Sequence, residues 1–336
     1  MKVGLVGLGF MGSTHLKAYR KIGDAEVVAV ASSEPQKLAG DASAAQGNLD
    51  SSAGPLDLGD AARHGKAEDL IADPNVEAVD LCVPTHLHAP LALAALRAGK
   101  HVLVEKPMAL TGDDCDAMIA AARENQRVLM VAHVLRFWPD YREAARLVRS
   151  GELGRVLAAT FRRKCATPGW SAWMRDPQKS GGGVFDLLIH DFDYCLHILG
   201  KPAAVAAVGV EDARMGVDWA DVRLDYASGV PVSISGGWFY PSGYPFSMEF
   251  SIVLEGGTLD FHSAMRRLTI YRAGGEVEEP KLPERDAFES ELEAFLQSCD
   301  KGEAPPENRP EDSAVATRLA LAMKESRARK GASVQL

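Results

Sequence analysis

A short apolar run, Val3-Gly4-Leu5-Val6, leads directly into Gly7-Leu8-Gly9-Phe10-Met11-Gly12, and a helical pattern continues from Met11 to Ile22. This strand–turn–helix spacing leaves few folds open. A first glycine allows the tight turn, a second lets backbone approach a pyrophosphate, and a third lets the helix pack closely on the strand. The helix N-terminus adds free N–H groups and a partial positive charge suited to phosphates. Gly7, Gly9, Phe10, Met11 and Gly12 are therefore candidate dinucleotide contacts, and the context at the start of a βα unit makes the motif far more specific than an isolated match.

In sites that prefer NAD, an acidic residue about 20 positions further on holds the ribose hydroxyls. Counting from Gly12, that place falls on Ser32, followed by Ser33 and then Lys37. A serine does not repel a 2′-phosphate and Lys37 is in reach of one, so NADP is expected to be accepted and slightly favoured over NAD. Glu34 argues the other way, because a small register shift brings it to the ribose.

The first third alternates strand-like runs (Val3 to Val6, Glu26 to Ala31, Val76 to Val83, His101 to Val104, Val128 to Ala132) with helical patterns (Pro90 to Ala98, Asp113 to Glu124). That order predicts a doubly wound parallel sheet covered on both faces, over residues 1–133. Residues 40–66, rich in Ala, Gly, Ser and Asp, read as a short helix plus a long surface loop. From 134 to 336 the pattern changes. A helix over Asp140 to Arg149 precedes strands that mostly alternate polar and apolar residues, from Arg155 to Arg163 through Leu268 to Tyr271, with helices at Phe185 to Leu199, Phe288 to Cys299 and Glu311 to Arg329. This predicts an α/β second domain with an open, mainly antiparallel sheet.

Two loops at carboxyl ends of the parallel strands carry polar residues where open α/β folds bind ligands. Pro84, Thr85 and His88 lie in the first and are expected to line the cofactor cleft. His86 and His88 lack a third ligand nearby, so no metal is expected. The second is Glu105-Lys106-Pro107. Pro107 restricts Lys106 to an extended backbone, which gives its ammonium a defined direction, and Glu105 stands beside it; both are candidate cofactor contacts. Spacing alone does not separate this lysine from an ordinary solvated one.

In the second half, Gly181-Gly182-Gly183 opens a helical pattern in which Asp186, His190 and Asp193 fall at i, i+4 and i+7, on one face. The three glycines suggest close backbone approach to a ligand. An imidazole with a carboxylate one turn away suits a general base. Trp170, Trp173 and Arg175 precede the glycines, and an aromatic ring there suits stacking on a sugar face as well as ordinary packing. Trp238, Phe239 and Tyr240 fit a core, a subunit interface or a substrate rim equally.

With 37 Lys plus Arg against 46 Asp plus Glu, the net charge of −9 argues against a nucleic-acid partner. Five cysteines without a paired spacing read as isolated thiols. No membrane span and no signal peptide are evident, so a cytoplasmic protein is expected.

The glycine fingerprint, Ala89 to Pro107, Arg136-Phe137, Gly181 to Asp193 and Glu325-Ser326-Arg327 together resemble the glucose–fructose oxidoreductase / inositol 2-dehydrogenase (Gfo/Idh/MocA) family of NAD(P)-dependent oxidoreductases. The resemblance implies a Rossmann domain followed by an α/β domain, a cleft between them, and homodimers or homotetramers packed through sheets. Lys106, Asp186 and His190 match the family's catalytic lysine, aspartate and histidine, and Arg136 and Asp193 match positions that often contact the sugar or polyol. The expected substrate-binding set is Lys106, Arg136, Trp173, Asp186, His190 and Asp193. The activity implied is hydride transfer between nicotinamide and a secondary hydroxyl or ketone of a sugar or polyol. A non-enzymatic dinucleotide sensor of the same fold is the alternative; it has no need of the Lys106, Asp186 and His190 set. The enzymatic expectation requires the Lys106 ammonium and the His190 imidazole to meet at one reacting carbon.

Overall fold

The computed structural model describes residues 1–41, 47, 55–169, 171–212, 214 and 216–336. The chain divides into two compact units, Met1–Val134 with Asp286–Ala314, and Leu135–Arg285 with Val315–Leu336.

The first unit holds six parallel strands, β1 (Lys2–Val6), β2 (Glu26–Ala31), β3 (Ala62–His64), β4 (Ala78–Leu81), β5 (His101–Glu105) and β6 (Leu129–Ala132), in the order 3-2-1-4-5-6. Helices α1 (Phe10–Tyr19), α2 (Pro35–Leu38), α3 (Ala67–Ile71), α4 (His88–Arg97) and α5 (Gly112–Glu124) make the crossovers. Val6, Val79, Leu81, Val102 and Val104 are buried with Leu96, Met118 and Ile119 in one cluster, and Leu5 and Val30 with Leu8, Leu16, Leu56 and Leu58 in another. Burial on both faces explains why these strands read as continuous apolar runs rather than alternating ones. Strand β3 lies within the stretch read as helix plus loop: Ala62-Arg63-His64 is too short and polar to announce itself, and it pairs with β2 at the sheet edge. The rest of that reading, at 42–46 and 48–54, lies outside the described residues.

The segment Asp286–Ala314, expected in the second domain, groups with the first unit. Its helix α9 (Ala287–Lys301 in the same chain order) is held there by named contacts. Lys21 Nζ pairs with Glu289 at 2.7 Å, the Phe288 ring lies 6.2 Å from that of His15, and Asn308 Nδ2 donates to the Val131 carbonyl at 2.9 Å.

The second unit contains α6 (Pro139–Ser150), β7 (Val156–Ala166), α7 (Pro177–Ser180), α8 (Gly183–Leu199), β8 (Ala204–Asp212), β9 (Val217–Asp225), β10 (Pro231–Tyr240), β11 (Ser247–Leu254), β12 (Gly257–His262), β13 (Arg266–Arg272) and β14 (Val277–Glu278). The helix α10 (Pro310–Ala328) leads to β15 (Val334–Gln335). The nine strands order as 14-13-12-11-7-10-9-8-15, antiparallel except where β10 runs parallel to β7. Tyr141 of α6 and Tyr194 of α8 meet edge-on at 4.8 Å, and Tyr141 meets Phe250 of β11 at 5.0 Å, forming the aromatic centre of this unit's core. Among the described residues, no helix is long and apolar enough to cross a membrane.

The seating of α1 on β1 depends on a missing side chain. A Cβ at Gly12 would lie 1.8 Å from the Gly7 carbonyl oxygen, whereas one at Gly9 meets nothing within 4 Å among the described residues. Gly12→Ala should therefore cost about 3 kcal/mol or more in denaturant unfolding, and Gly9→Ala about 0.5 kcal/mol or less. Equal losses from the two would contradict this account.

Candidate active site

The dinucleotide end of the first unit is built from the β1–α1 turn. Gly7 adopts φ +93°, donates its N–H to the Ala31 carbonyl at 2.9 Å, and would put a Cβ 2.2 Å from the Cys82 carbonyl oxygen. Gly9 caps α1 with no side chain bonded to the first-turn N–H groups. Among the described residues, the space beside Gly9 is open and no side chain caps the first turn, which fits a pyrophosphate. Phe10 and Met11, half-buried in the first turn, flank it.

At the end of β2, the Ser32 Oγ accepts the Glu34 N–H at 3.1 Å, and Ser33 is exposed. Lys37 Nζ is paired with the Glu34 carboxylate at 2.5 Å, so its charge is partly spent inside the chain. Pro84 leads into a short 3-10 turn, Thr85–Leu87, with Thr85 buried. His88 is buried, with Nδ1 at 2.8 Å from the Pro107 carbonyl and Nε2 at 2.8 Å from that of Val83, so its ring lies between the two ligand-side loops.

Lys106 directly follows β5 at the carboxyl edge of the sheet, half-buried, joined to Pro107 by a cis peptide. The Glu105 carboxylate behind it accepts the Lys106 N–H at 3.1 Å. Glu105 is itself part of a buried group that sequence inspection missed. His15 of α1 donates from Nδ1 to Asp80 of β4 at 2.8 Å, and its Nε2 lies 3.4 Å from Glu105 Oε1. Burial alone would lower the His15 imidazole, but the charge and hydrogen bond of Asp80, then Glu105 and Glu291, outweigh it and push it up to about 9. Burial pushes the Glu105 carboxyl up, against the pull of His15 and Lys106, and also pushes up the Cys82 thiol. The sequence signal was present: Asp80 is a carboxylate inside an apolar strand, where it must be paired.

His15, Cys82 and Glu105 bring ligand-type atoms within 4.8 Å of one another. They do not surround one point, because Cys82 Sγ lies 3.4 Å from Nδ1 while Glu105 faces Nε2 on the opposite ring edge. Asp80 already occupies Nδ1. The group is a hydrogen-bonded network.

In the second unit, the glycine run turns out to serve helix packing. Gly181 and Gly182 adopt φ +84° and +98°, and a Cβ at Gly183 would lie 2.7 Å from both Asp218 Oδ1 and the Trp238 ring. Asp218, another residue missed in the sequence, accepts the Val184 N–H at 2.6 Å and pairs with Arg327 at 2.8 Å, capping α8 from β9. Lys324 Nζ adds a bond to the Gly181 carbonyl at 2.5 Å and sits 5.6 Å over the Phe185 ring. Trp238 is fully buried there, which settles it as core, while Phe239 is exposed and Tyr240 stacks near Tyr244 at 4.5 Å.

The expected Asp186, His190 and Asp193 stripe divides. Asp186 is buried in the first turn and His190, one turn on, is half-buried. Asp193 instead forms a bidentate pair with Arg136, at 2.9 and 2.6 Å, with both side chains 1% exposed. Arg136 and Asp193 thus form an internal clamp on α8. A second buried pair, Arg163 with Asp191 at 2.8 and 3.0 Å, clamps the helix from β7. Trp173 is half-buried in a turn closed by the Asp176 N–H on its carbonyl at 3.1 Å; Trp170 lies outside the described residues.

A parallel sheet with this glycine turn, and a lysine at its carboxyl edge, defines a dinucleotide-binding protein of the oxidoreductase class. Residues 1–133 match the family described as "Oxidoreductase family, NAD-binding Rossmann fold", and residues 141–260 match the GFO/IDH/MocA C-terminal domain. The chain is 33% identical to a 1,5-anhydro-D-fructose reductase of Ensifer adhaerens, over 76% of this chain and 79% of the relative. It is 30% identical to inositol 2-dehydrogenase 2 of Saccharopolyspora erythraea, over 90% and 86%. The solved structure of a levoglucosan dehydrogenase in complex with NADH and levoglucosan shares the fold, with a TM-score of 0.85 at 23% identity, covering 100% of this chain and 99% of that one. The chain belongs to the GFO/IDH/MocA oxidoreductase family. It is an NAD(P)-dependent oxidoreductase acting on CH–OH groups.

The raised His15 gives a pH signature. A folded-state value near 9 against the ordinary imidazole value of 6.5 means its stabilisation is complete below about pH 6.5 and lost as pH rises through about 9. The shift corresponds to about 3 kcal/mol at most. Unfolding free energies of wild type and His15→Gln should converge between pH 6.5 and 9.5; a constant gap would contradict the assignment.

Proposed function

We propose that the protein moves a hydride between NAD(P) and a secondary hydroxyl or ketone of a sugar or polyol, with Lys106, Asp186 and His190 as its catalytic residues. The observation that carries this reading is Lys106 at the carboxyl end of β5, two strands from the glycine turn in sheet order, with its backbone fixed by the buried Glu105. The sugar and polyol substrates named for the relatives support the substrate class.

When bound, the nicotinamide supplies the two-electron redox chemistry. The protein's work is the proton and the oxygen. In oxidation, His190 accepts the hydroxyl proton, with Asp186 one turn earlier on α8 orienting the imidazole. The Lys106 ammonium donates to the same oxygen and stabilises its developing negative charge. In reduction these groups act in reverse. Lys106→Ala and His190→Ala should each lower turnover on the order of 100-fold or more, in a screen of polyols and keto-sugars read by nicotinamide absorbance, while NADH fluorescence still reports binding. Wild-type turnover in the double variant would discard the scheme.

NADP use, slightly ahead of NAD, is part of the same reading. No carboxylate stands at Ser32, and Lys37 is paired with Glu34. Glu34→Gln should release Lys37 and raise the ratio of kcat/KM for NADP over NAD about tenfold or less. An unchanged or reversed ratio would refute this role.

The chain is also expected to form homodimers or homotetramers. One face of the nine-stranded sheet packs on α8, and the opposite face carries exposed Val208, Val253 and Tyr271 beside Thr160, Ser233 and Ser251. An open antiparallel face of mixed polarity suits a partner subunit.

A further inference from the structure

We propose that His15 is a positioning residue that ties the dinucleotide-binding helix α1 to Lys106, acting through the Glu105 carboxylate. The inference rests on the reading that α1 receives the dinucleotide, and goes beyond it by naming how that event reaches the lysine.

The connection is short and continuous. His15 lies on α1 six residues beyond Gly9, the residue at the phosphate end. Its ring is fully buried between Asp80 at 2.8 Å and Glu105 Oε1 at 3.4 Å. The other oxygen of Glu105 accepts the Lys106 N–H at 3.1 Å. One buried ion-pair contact and one hydrogen bond therefore run from the first helix through Glu105 to the backbone of the lysine, with Asp80 holding the other side of the His15 ring.

Ordinary packing does not call for this arrangement. An imidazole flanked by carboxylates in a dry interior loses hydration that apolar residues of similar volume would not lose. Its return is geometric: a displacement of α1 moves Nε2 against Glu105, and Glu105 has Lys106 on its other oxygen. The charged and titratable groups around the ring are Asp80 from β4, Cys82 just beyond it, Glu105 from β5 and Glu291 from α9, with Tyr19 of α1 against Asp80 and the Phe288 ring closing the cluster. Of these, Glu105 alone is adjacent in sequence to the candidate catalytic lysine.

The test uses hydrogen exchange of the peptide covering residues 103–108 in the whole protein, with and without NADH or NADPH, whichever binds wild type more tightly. His15→Asn keeps a donor for Asp80 but falls short of Glu105. Glu105→Gln keeps the volume and an acceptor for the Lys106 N–H but removes the charge facing His15, and it decides the matter should His15→Asn fail to fold. In wild type, the dinucleotide should slow exchange in this peptide about fivefold. In each folded variant, the slowing should fall below about 1.5-fold. For His15→Asn, nicotinamide fluorescence should give a Kd within about threefold of wild type, and kcat should fall without a matching rise in cofactor KM. Full slowing in both variants at saturating dinucleotide would overturn the coupling while leaving the functional reading intact. Failure of wild type to bind either dinucleotide would overturn the functional reading, and this inference with it.

Discussion

Two buried arginine–aspartate pairs govern the second unit. Asp191 and Asp193 leave α8 in different directions, and Arg163 and Arg136 meet them with two-point bonds. A helix held at one side chain can roll about its axis; one held by forked contacts on two bearings cannot. His190 precedes the first of these carboxylates, so the two pairs hold the helix that carries it. Truncating one member strands the other charge in a dry interior, typically at 3–5 kcal/mol. Asp218, Arg327 and Lys324 secure the start of the same helix, which leaves α8 fixed at its end and in its rotation.

The first unit solves a similar problem with a different device. Its lysine sits on a strand end, where the sheet fixes position, but the backbone beyond the last ladder bond needs another anchor. Glu105 provides one by bonding back to the Lys106 N–H, and His88 provides a second by bridging the carbonyls of Val83 and Pro107. In both units, polar groups that resemble site residues by type are the ones that hold the site residues still. This supporting role is common around reacting groups, because precision of placement comes from neighbours whose own rotamers are locked.

Legibility in the sequence followed the range of the interactions involved. The parallel sheet was readable because local periodicity and the glycine spacing are written within a few residues, and the same held for α5, α8 and most of the second sheet. Strand β3 was not, since three residues at a sheet edge carry almost no periodic signal. Segment Asp286–Ala314 was not either: its allegiance is decided by contacts such as Lys21 with Glu289, 268 residues apart. The partner of Asp193 is hidden from the sequence for a related reason. Helical spacing correctly put it near the face of Asp186 and His190, but spacing cannot reveal an arginine 57 residues away that already claims the carboxylate. The glycines at 181–183 looked like room for a ligand, and Trp238, invisible at that distance in sequence, is what fills the space.

The return of Asp286–Ala314 to the first unit has a consequence for synthesis. Residues 1–134 emerge first and contain the whole parallel sheet, yet the faces around His15 and Val131 wait for Phe288 and Asn308. During translation at roughly 5–20 residues per second, the intervening stretch takes several seconds or more to appear. Over that interval the nascent sheet lacks the Phe288 ring beside His15 and the Asn308 bond to the Val131 carbonyl. A ribosome that stalls before Asp286 would release a polypeptide with its second lobe begun and its first still open, which is the species a chaperone or protease would meet.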